Sequence, residues 1–191
     1  MSERIVFLRG KRVNLRPILR SDIPRWLRWV NDPDVNHFIE VWLPATEAHE
    51  ERWYERITRA DTDDFTLTIE TIEGTPIGSM GLHGIRWKDG IARTGAVIGE
   101  KEYWDRGLGT EAKMLLLNHV FNVLNLRKVC SSYIEYNVRS GAYQARTGYR
   151  EEGRLRAQRY RNGRYWDEVL TAVFREEWLP LWEEYRTTHL S

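Results

Sequence analysis

The sequence WDRGLGT, residues Trp104–Thr110, lies between a strand pattern and a strong helix pattern. Gly107 and Gly109 allow the backbone to approach a ligand closely and to adopt positive φ angles. The helix pattern over Thr110–Leu124 places unpaired backbone N–H groups and a partial positive charge beside them. These features favour a phosphate cradle, although a tight strand-to-helix turn uses the same glycines. The loop matches neither G-x-x-x-x-G-K-[ST] nor the full G-x-G-x-x-G, so the motif alone does not identify a ligand.

Three strand patterns precede this loop. Residues of Phe65–Ile72 alternate between apolar and polar, and Ile77–Leu82 and Ile91–Ile98 are two further strand patterns. Short turn signals containing glycine separate them. We therefore expect three antiparallel strands in a row, followed by a loop over Gly99–Gly109.

The N-terminal part contains one strand pattern and two helix patterns. Arg12–Pro17 alternates as a strand, and Ser21 is the expected N-cap of the first helix, which ends at Asn31–Asp34. Thr46 is the expected N-cap of the second helix, which extends to about Arg59.

A short strand, a helix and a hairpin follow the loop. Val129–Ile134 is an apolar strand pattern, and the next helix begins at Asn137 and ends at Gly148. Asn162 and Gly163, between two strand patterns, predict a two-residue hairpin turn. This order of strands and helices predicts an α+β, or mixed α/β, fold.

Composition narrows the classes of function. Lys and Arg total 29 and Asp and Glu total 28, so the net charge of +1 does not indicate a nucleic-acid partner. No apolar run is long enough to cross a membrane, and charges on both sides of the short apolar patch near the N-terminus argue against a signal peptide. The single cysteine, Cys130, forms no internal disulfide, which favours a cytoplasmic location. Without linker or repeat composition, a single domain over residues 1–191 is expected.

Five segments carry a family resemblance, namely EYWDRGLGTEA (Glu102–Ala112), VLNLRKV (Val123–Val129), NVRSGAYQARTGY (Asn137–Tyr149), RNGRYWDEV (Arg161–Val169) and FREEW (Phe174–Trp178). With these segments the chain resembles the GNAT superfamily of acetyl-CoA-dependent N-acetyltransferases over nearly its whole length. The resemblance is closest to the branch that holds ribosomal-protein N-terminal acetyltransferases and spermidine N-acetyltransferase. It implies a GNAT-like fold, in which a central, mostly antiparallel sheet has one splayed parallel strand pair and flanking helices.

The resemblance also implies acetyl-CoA as co-substrate and no metal, and the five histidines show no zinc-ligand spacing. In such enzymes the free edge of the strand before the glycine loop binds the pantetheine arm, and loop N–H groups contact the pyrophosphate. The cofactor-binding residues implied are Val97, Ile98, Gly99, Trp104, Asp105, Arg106, Gly107, Leu108, Gly109, Thr110 and Asn137. Asn137 is also a good helix N-cap in any protein.

The sequence leaves open which group protonates the departing thiolate. Many relatives place a tyrosine seven positions after the asparagine that corresponds to Asn137, and this chain has Gln144 there, which cannot release a proton. Ser140 matches a serine proposed for this role in ribosomal-protein acetyltransferases, and Tyr143 is one residue from the usual position. A third alternative is no dedicated acid, because a thiol has a pKa of about 8.5 and its thiolate leaves readily.

The group that accepts the proton of the amine is also open. A primary alkyl amine has a pKa of about 10.4, so it must lose a proton before it attacks the thioester. His83, Glu100 and Glu135 lie at or just beyond strand ends and are the candidates for this role. The ordinary interpretation, a surface or structural residue, applies to each of them as well and is the more common one for such positions. The N–H of Ile98 is a candidate for polarising the thioester carbonyl.

The resemblance predicts an N-acetyltransferase that acts directly on a primary amine, which is a protein N-terminus or a small-molecule amine. Gln144 motivates the alternative of a non-catalytic acetyl-CoA-binding sensor or scaffold. An RNA-binding module using the arginine-rich hairpin lacks stacked aromatic residues, so neither nucleic acid nor a membrane is an expected partner. Near Phe38–Pro44 the only acidic residue is Glu40, which disfavours a polyamine acceptor. A homodimer is suggested by analogy with the branch alone.

Overall fold

The computed structural model describes residues 5–190, so the first residues of the N-terminal charge pattern and both ends of the expected domain lie outside the described part. The helices are α1 (Ile23–Asn31), α2 (Pro33–Asn36), α3 (Glu47–Ile57), α4 (Leu108–Asn122), α5 (Val138–Arg146) and α6 (Arg175–Tyr185). The strands are β1 (Leu8–Arg9), β2 (Val13–Pro17), β3 (Phe65–Thr71), β4 (Pro76–Arg86), β5 (Ile91–Ile98), β6 (Lys128–Ile134), β7 (Arg150–Arg161) and β8 (Arg164–Phe174).

The strands form an eight-stranded sheet in the order β1-β2-β3-β4-β5-β6-β8-β7. The pairs β1/β2, β2/β3, β3/β4, β6/β8 and β7/β8 are antiparallel. β5 and β6 are parallel, and within the described residues their register covers Ile91–Arg93 against Lys128–Cys130, although both strands continue further. The expected mixed α/β fold, with a mostly antiparallel sheet and one parallel pair, is therefore confirmed.

The chain divides into two compact units. The first contains the residues up to His83 together with Gly95–Leu115, and the second contains Gly84–Thr94 and the chain from Leu116 onward. The expected cofactor residues up to Thr110 belong to the first unit, whereas Asn137 and the candidate acids belong to the second. The single domain expected over residues 1–191 stays a prediction.

In the first unit, α1 and α3 pack through aromatic side chains. Trp26 and Trp29 lie on the buried side of α1, and Trp53 of α3 contacts Trp26 with ring centroids 4.9 Å apart. Amphipathic spacing of this kind turns the apolar side of each helix inward. Val97 and Trp104 pack against the same cluster, which ties the two helices to the segment around the glycine loop.

The start of α1 differs from the expectation. Arg20–Asp22 forms a 3-10 turn, and Asp22 rather than Ser21 is the N-cap. The cause is a buried ion pair, in which Arg16 donates to the two carboxylate oxygens of Asp22 at 2.8 and 2.7 Å. Because this pair fixes Asp22, the backbone enters the helix one residue later than a cap at Ser21 would require.

α4 begins at Leu108 rather than at Thr110, so the loop expected over Gly99–Gly109 is too long. The N–H of Glu111 donates to the carbonyl of Gly107 at 3.1 Å, which places Leu108 and the following glycine in the first helical turn. Gly107 has a φ of 76° and marks the point where the backbone turns into the helix.

The second unit contains the predicted hairpin and the predicted helix α5. Asn162 and Gly163, which join β7 and β8, have φ angles of 50° and 81°, as a type I′ turn requires. α5 begins directly after Asn137, and Gly148 has a φ of 91° just past its end. The turn and cap signals in the sequence are therefore confirmed here.

Candidate active site

Two tryptophans hold the end of β5 and the turn after it. A Cβ on Gly99 would lie 2.1 Å from Cδ2 of Trp29, so glycine is required against this indole. Trp104 donates from Nε1 to the carbonyl of Ile98 at 2.7 Å, and its backbone N–H donates to the carbonyl of Lys101 at 3.0 Å. Because this N–H is used inside the turn, Trp104 can supply a wall of the expected cradle but not one of its N–H donors.

At the end of β5, some backbone groups point away from the neighbouring strand β4. The N–H of Gly99 donates to the carbonyl of Ile77 on β4 at 2.9 Å. Since backbone groups alternate in direction along a strand, the N–H of Ile98 is directed away from β4. Of the three residues expected at the free edge, Ile98 therefore has the suitable N–H, Gly99 does not, and Val97 contributes its side chain.

Two positive φ angles shape the glycine loop. Asp105 has a φ of 59° and Gly107 has a φ of 76°. Aspartate is among the non-glycine residues that tolerate this region, which explains how it can stand at the first position. Arg106, between them, lies over the Tyr103 ring, with its Cζ 5.5 Å from the ring centroid. Turns of this kind gather successive N–H groups into an anion-binding concavity.

The first turn of α4 adds N–H groups to this concavity. The N–H groups of Leu108, Gly109 and Thr110 precede the first helical hydrogen bond, which Glu111 makes. Such groups have no partner within their helix, and the helix dipole adds a partial positive charge at the same place. The arrangement suits a bound phosphate or diphosphate group.

A buried carboxylate lies behind the loop, and its role was not predicted from the sequence. Glu111 is 1% exposed, and its Oε1 accepts the backbone N–H groups of Lys11 and Arg12 at 2.7 and 2.8 Å. Its Oε2 accepts Nε of Arg12 at 2.9 Å. An acidic residue in the first turn of a helix usually indicates only a favourable dipole interaction. Its distant partner Arg12 could not be recognised from the sequence.

Arg12 orients the loop from this side. Its Nη1 donates to the carbonyl of Arg106 at 2.9 Å, and its Nη2 donates to the carbonyl of Gly107 at 3.4 Å. In a trans peptide the N–H points opposite to the carbonyl of the same plane. The N–H groups of Gly107 and Leu108 are therefore held pointing away from Arg12, on the side where an anion would bind.

A cavity of about 580 Å³ lies in the first unit, and both His83 and Val97 line it. The candidate base and the expected strand edge are thus brought to one cavity. Burial lowers the pKa of His83; the Asp64 carboxylate raises it and the Lys113 ammonium lowers it by smaller amounts. Lys113 is itself buried, which lowers its pKa to about 7. A neutral imidazole at neutral pH is the form that accepts a proton.

The two glutamates considered as bases are engaged in ion pairs. Glu100 pairs with Arg28, and Nη1 of Arg25 lies 3.6 Å from its Oε1. Glu135 lies 3.5 Å from Nη1 of Arg154. Among the described residues, the cavity lining includes neither glutamate. Of the three candidates, His83 is the one in a suitable position.

Gln144 is part of the framework of the second unit. It is 3% exposed, and its Oε1 accepts a hydrogen bond from the hydroxyl of Thr171. Its Nε2 donates to Oγ of Ser140 at 3.2 Å and to the carbonyl of Ser132 at 3.4 Å. A buried amide with these contacts connects α5 with β6 and β8, so Gln144 has a structural role in the second unit.

The geometry of α5 favours Ser140 over Tyr143 as the proton donor. Oγ of Ser140 accepts from Gln144, which leaves its own proton for donation. The hydroxyl of Tyr143 is buried, and burial together with nearby Tyr149 raises the pKa of Tyr143 well above its ordinary value. Oδ1 of Asn137 accepts the N–H of Ser140 at 3.0 Å, so this side-chain carbonyl caps α5.

Within residues 5–190, no group of three or more His, Cys, Asp or Glu side chains is arranged to hold a metal ion. In the same part of the chain, none of the helices combines the length and the apolar character that crossing a bilayer requires.

Comparisons with known proteins find matches to acetyltransferases. A family model described as an acetyltransferase (GNAT) domain matches residues 12–150. Spermidine N(1)-acetyltransferase of Escherichia coli K12 is 24% identical over 176 residues, which cover 87% of this chain and 88% of that enzyme. Ribosomal protein uS5-alanine N-acetyltransferase of the same organism is 30% identical over 86 residues, which cover 45% of this chain and 44% of that enzyme. The chain spans about half the length of some curated relatives that it matches.

The fold is similar to that of solved acetyltransferases. The crystal structure of spermidine N-acetyltransferase from Vibrio cholerae in complex with CoA and spermine superposes with a TM-score of 0.79. The match covers 87% of this chain and 98% of that chain at 21% identity, so the likeness concerns the fold.

Proposed function

This chain belongs to the GNAT acetyltransferase family, and we propose that it transfers an acetyl group from acetyl-CoA directly to a primary amine. The acceptor is a protein N-terminus or a small-molecule amine, the two classes that appear in the names of its relatives. The observation that carries the proposal is that Arg12 holds the loop at the start of α4 in place. The loop carbonyls at Arg106 and Gly107 bind Arg12, and the loop N–H groups are turned to the opposite side.

The residues present fit the diphosphate of acetyl-CoA. Gly107 has a φ of 76°, which glycine adopts without strain, so the backbone can turn into α4 at this position. The negative charge of Glu111 is compensated by Arg12 and does not oppose an incoming anion. The edge of β5 at Val97 and Ile98 suits the amide groups of the pantetheine arm, which hydrogen-bond like a neighbouring strand. When bound, acetyl-CoA supplies an acetyl group activated as a thioester.

His83 prepares the amine for attack. Its neutral imidazole accepts the proton that the ammonium must lose, directly or through one water. The nitrogen lone pair then forms the new C–N bond, and the C–S bond of the thioester breaks. The N–H of Ile98 donates to the carbonyl oxygen, where negative charge develops during the attack.

Ser140 donates its proton to the departing sulfur in this scheme. The nitrogen loses its second proton to solvent as the amide forms, and a proton from solvent restores the serine hydroxyl. Gln144 orients the Ser140 hydroxyl by donating to Oγ. Tyr143 is the second candidate, with its hydroxyl buried away from the surface. Departure of the free thiolate remains chemically competent, because the pKa of a thiol is only about 8.5. Removal of the proton from the amine, with a pKa of about 10.4, is the more demanding transfer.

Coenzyme A binding and thiol release test the proposal on the full-length protein. Calorimetry measures the affinity of the protein for coenzyme A. Detection of free thiol, with acetyl-CoA and a panel of primary amines, measures acetyl transfer. We expect saturable binding and thiol release with at least one amine. Binding without release from any amine supports the sensor alternative, and absence of binding overturns the cradle itself.

We also propose that the enzyme is cytoplasmic and that neither a nucleic acid nor a membrane is its partner. Cys130 is a free, partly buried cysteine on β6, and burial raises the pKa of its thiol. A thiol of this kind behaves as a small hydrophobic residue in a reducing compartment and not as a nucleophile. A homodimer rests on analogy with the branch, and light scattering of the purified protein tests it.

A further inference from the structure

The cavity beside β5 has an aromatic wall. Trp26 and Trp53 line it, with ring centroids 4.9 Å apart and ring planes 44° apart, and Phe65 at the start of β3 also lines it. Ile57 and Val97 extend the apolar surface. Its volume of about 580 Å³ falls within the usual range of small-molecule sites, roughly 300–1,000 Å³.

The charges around this cavity balance one another. Its charged lining residues, apart from His83, are Arg56, Arg59, Asp61 and Asp64. Arg59 and Asp61 pair with each other, with Nε 2.7 Å from Oδ1, and both are largely exposed. A polyamine carries several ammonium groups, each of which needs a compensating partner when it leaves water. A ligand with one ammonium group and an apolar body suits this surface better.

The floor of the cavity consists of small residues. Ser79, Gly81, Gly95 and Ala96 line it. A Cβ built on Gly95 would meet nothing within 4 Å, so the space directly above this residue is open. Gly95 lies on β5 two positions before Val97, so side chains at the two positions would be directed to the same face of the sheet. A ligand above Gly95 therefore lies beside Val97, in the cavity that both residues line.

We propose that the acceptor is an arylalkyl primary amine, a molecule with one aromatic ring system and one ammonium group. The ring packs against Trp26 and Trp53, where aromatic pairs gain energy beyond simple burial. The short alkyl chain crosses above Gly95 and brings the amine to His83. This inference rests on the proposed function, since it names the acceptor of the same reaction. A peptide that begins with alanine would leave the aromatic wall unfilled.

Steady-state kinetics at saturating acetyl-CoA test this inference with four amines. They are 2-phenylethylamine, tryptamine, spermidine and a short peptide that begins with alanine. We expect kcat/KM for the two arylalkyl amines to exceed the other two values by about tenfold or more, the usual effect of filling or emptying an apolar pocket. Equal or better use of spermidine or the peptide overturns the inference and leaves the transferase function standing. If the protein binds coenzyme A but acetylates none of the four amines, the inference is overturned. The full amine panel then decides whether the proposed function stands.

Gly95→Val tests the placement of the ligand. The valine side chain enters the open space above β5, and we expect KM for 2-phenylethylamine to rise by about tenfold, with coenzyme A affinity unchanged. Gly153→Val is the matched control, because Gly153 is a strand glycine on β7 whose Cβ would also meet nothing within 4 Å. An unchanged KM in folded Gly95→Val overturns the placement.

Trp53→Leu gives a second test that does not depend on β5. Leucine keeps an apolar side chain on α3 but removes the ring. We expect KM for 2-phenylethylamine to rise several-fold while KM for spermidine changes little. An equal change for both amines contradicts recognition of an aromatic ring by this wall.

Discussion

The starts of α4 and α5 use their polar side chains in opposite ways. At α5, Oδ1 of Asn137 accepts the N–H of Ser140 at 3.0 Å, so the helix caps itself. At α4, the carboxylate of Glu111 instead accepts the backbone N–H groups of Lys11 and Arg12. A helix start that is capped by its own side chain offers fewer N–H groups to a ligand. The start of α4 therefore offers more N–H groups to an anion than the start of α5 does, although the resemblance implied that both the glycine loop and Asn137 contact the cofactor.

The same comparison extends to the proton transfers. His83 and the edge of β5 belong to the first unit, whereas Ser140 and Gln144 belong to the second. The ammonium group, with a pKa of about 10.4, must lose a proton before the amine reacts. The thiolate is a good leaving group without help, because the pKa of its thiol is only about 8.5. Substitutions in the first unit should therefore have the larger effects on binding and on rate.

Gly107→Glu should cause the largest loss. At a φ of 76° a glutamate is strained, and its side chain would start 3.4 Å from Nη2 of Arg12, so its carboxylate would compete with the loop carbonyls for that guanidinium. We expect coenzyme A affinity to fall on the order of 100-fold, about 2.7 kcal/mol, by calorimetry. Gly163→Glu is the control, because Gly163 has a φ of 81° in the hairpin turn and no expected contact with the cofactor. Unchanged affinity in folded Gly107→Glu would remove the distinction between the two helix starts.

His83→Gln should lower kcat/KM by about 100-fold, within the range for loss of a general base. Because burial lowers the pKa of His83, its neutral form persists to lower pH, and activity is lost as pH falls through that lowered pKa. The acidic limb of the pH profile should have its midpoint below 6.5, the ordinary value, and it should disappear in the variant. His189→Gln, on the C-terminal segment, should leave the profile unchanged. Persistence of the limb in His83→Gln assigns the base elsewhere.

Arg12→Ala should weaken coenzyme A binding by about tenfold, since the charge-assisted hydrogen bonds that orient the loop are lost. We expect kcat at saturating acetyl-CoA to change much less, because Arg12 positions the loop and does not touch the reacting atoms. Arg12→Ala also leaves the Glu111 carboxylate buried without its partner, so the double variant with Glu111→Gln separates loop geometry from unfolding.

Arg150→Ala is the matched control for loss of an arginine. Its side chain is 74% exposed and lies 3.2 Å from Glu177, and exposed pairs contribute little to stability. Calorimetry should show wild-type affinity in Arg150→Ala. If Arg12→Ala also binds coenzyme A with wild-type affinity, the contacts of Arg12 with the loop have no functional role.

Ser140→Ala should lower kcat by roughly three- to tenfold, less than His83→Gln, and should leave coenzyme A affinity unchanged. Tyr143→Phe should change kcat less than Ser140→Ala does, because the Tyr143 hydroxyl is buried. Single-turnover thiol release measures both variants. A larger loss in Tyr143→Phe would reverse the assignment, and no loss in either variant or in their combination would indicate that the thiolate departs without an acid.

Asn137→Ala should have only a small effect on coenzyme A binding. Loss of the cap should reduce the free energy of unfolding by about 1 kcal/mol in denaturant titration, whereas coenzyme A affinity should stay within about twofold. Asn137→Ser keeps a capping oxygen and should restore most of the stability. A large loss of affinity with unchanged stability would show that Asn137 serves the cofactor more than the helix.

Local signals predicted the elements that depend on neighbouring residues. The hairpin at Asn162 and Gly163 and the helix start after Asn137 were predicted because turn and cap chemistry is complete within a few residues. Ser21 was assigned as a cap wrongly, because Arg16 pairs with Asp22 and moves the helix start. Competition from a partner outside the local window is the physical reason for that error.

The candidate site was predicted in part for a similar reason. The glycine loop and His83 were recognised by residue type, by position relative to strands, and by resemblance. The ion pair between Arg12 and Glu111 was not predicted, because the two residues are far apart in the chain and neither is unusual for its strand or helix. Whether Trp26 and Trp53 build a core or line a binding cavity could not be decided from the sequence, since aromatic residues at helical spacing indicate either.

By itself the sequence determined most of the strands and helices and their order, because these depend on local conformational preferences, and its motifs indicated the family and drew attention to the glycine loop. Only the tertiary structure decided which N–H groups are committed inside the protein, which side chain holds the loop, and what lines the cavity beside β5. Those features depend on contacts between residues distant in the chain, and such contacts exist only after the backbone has brought them together.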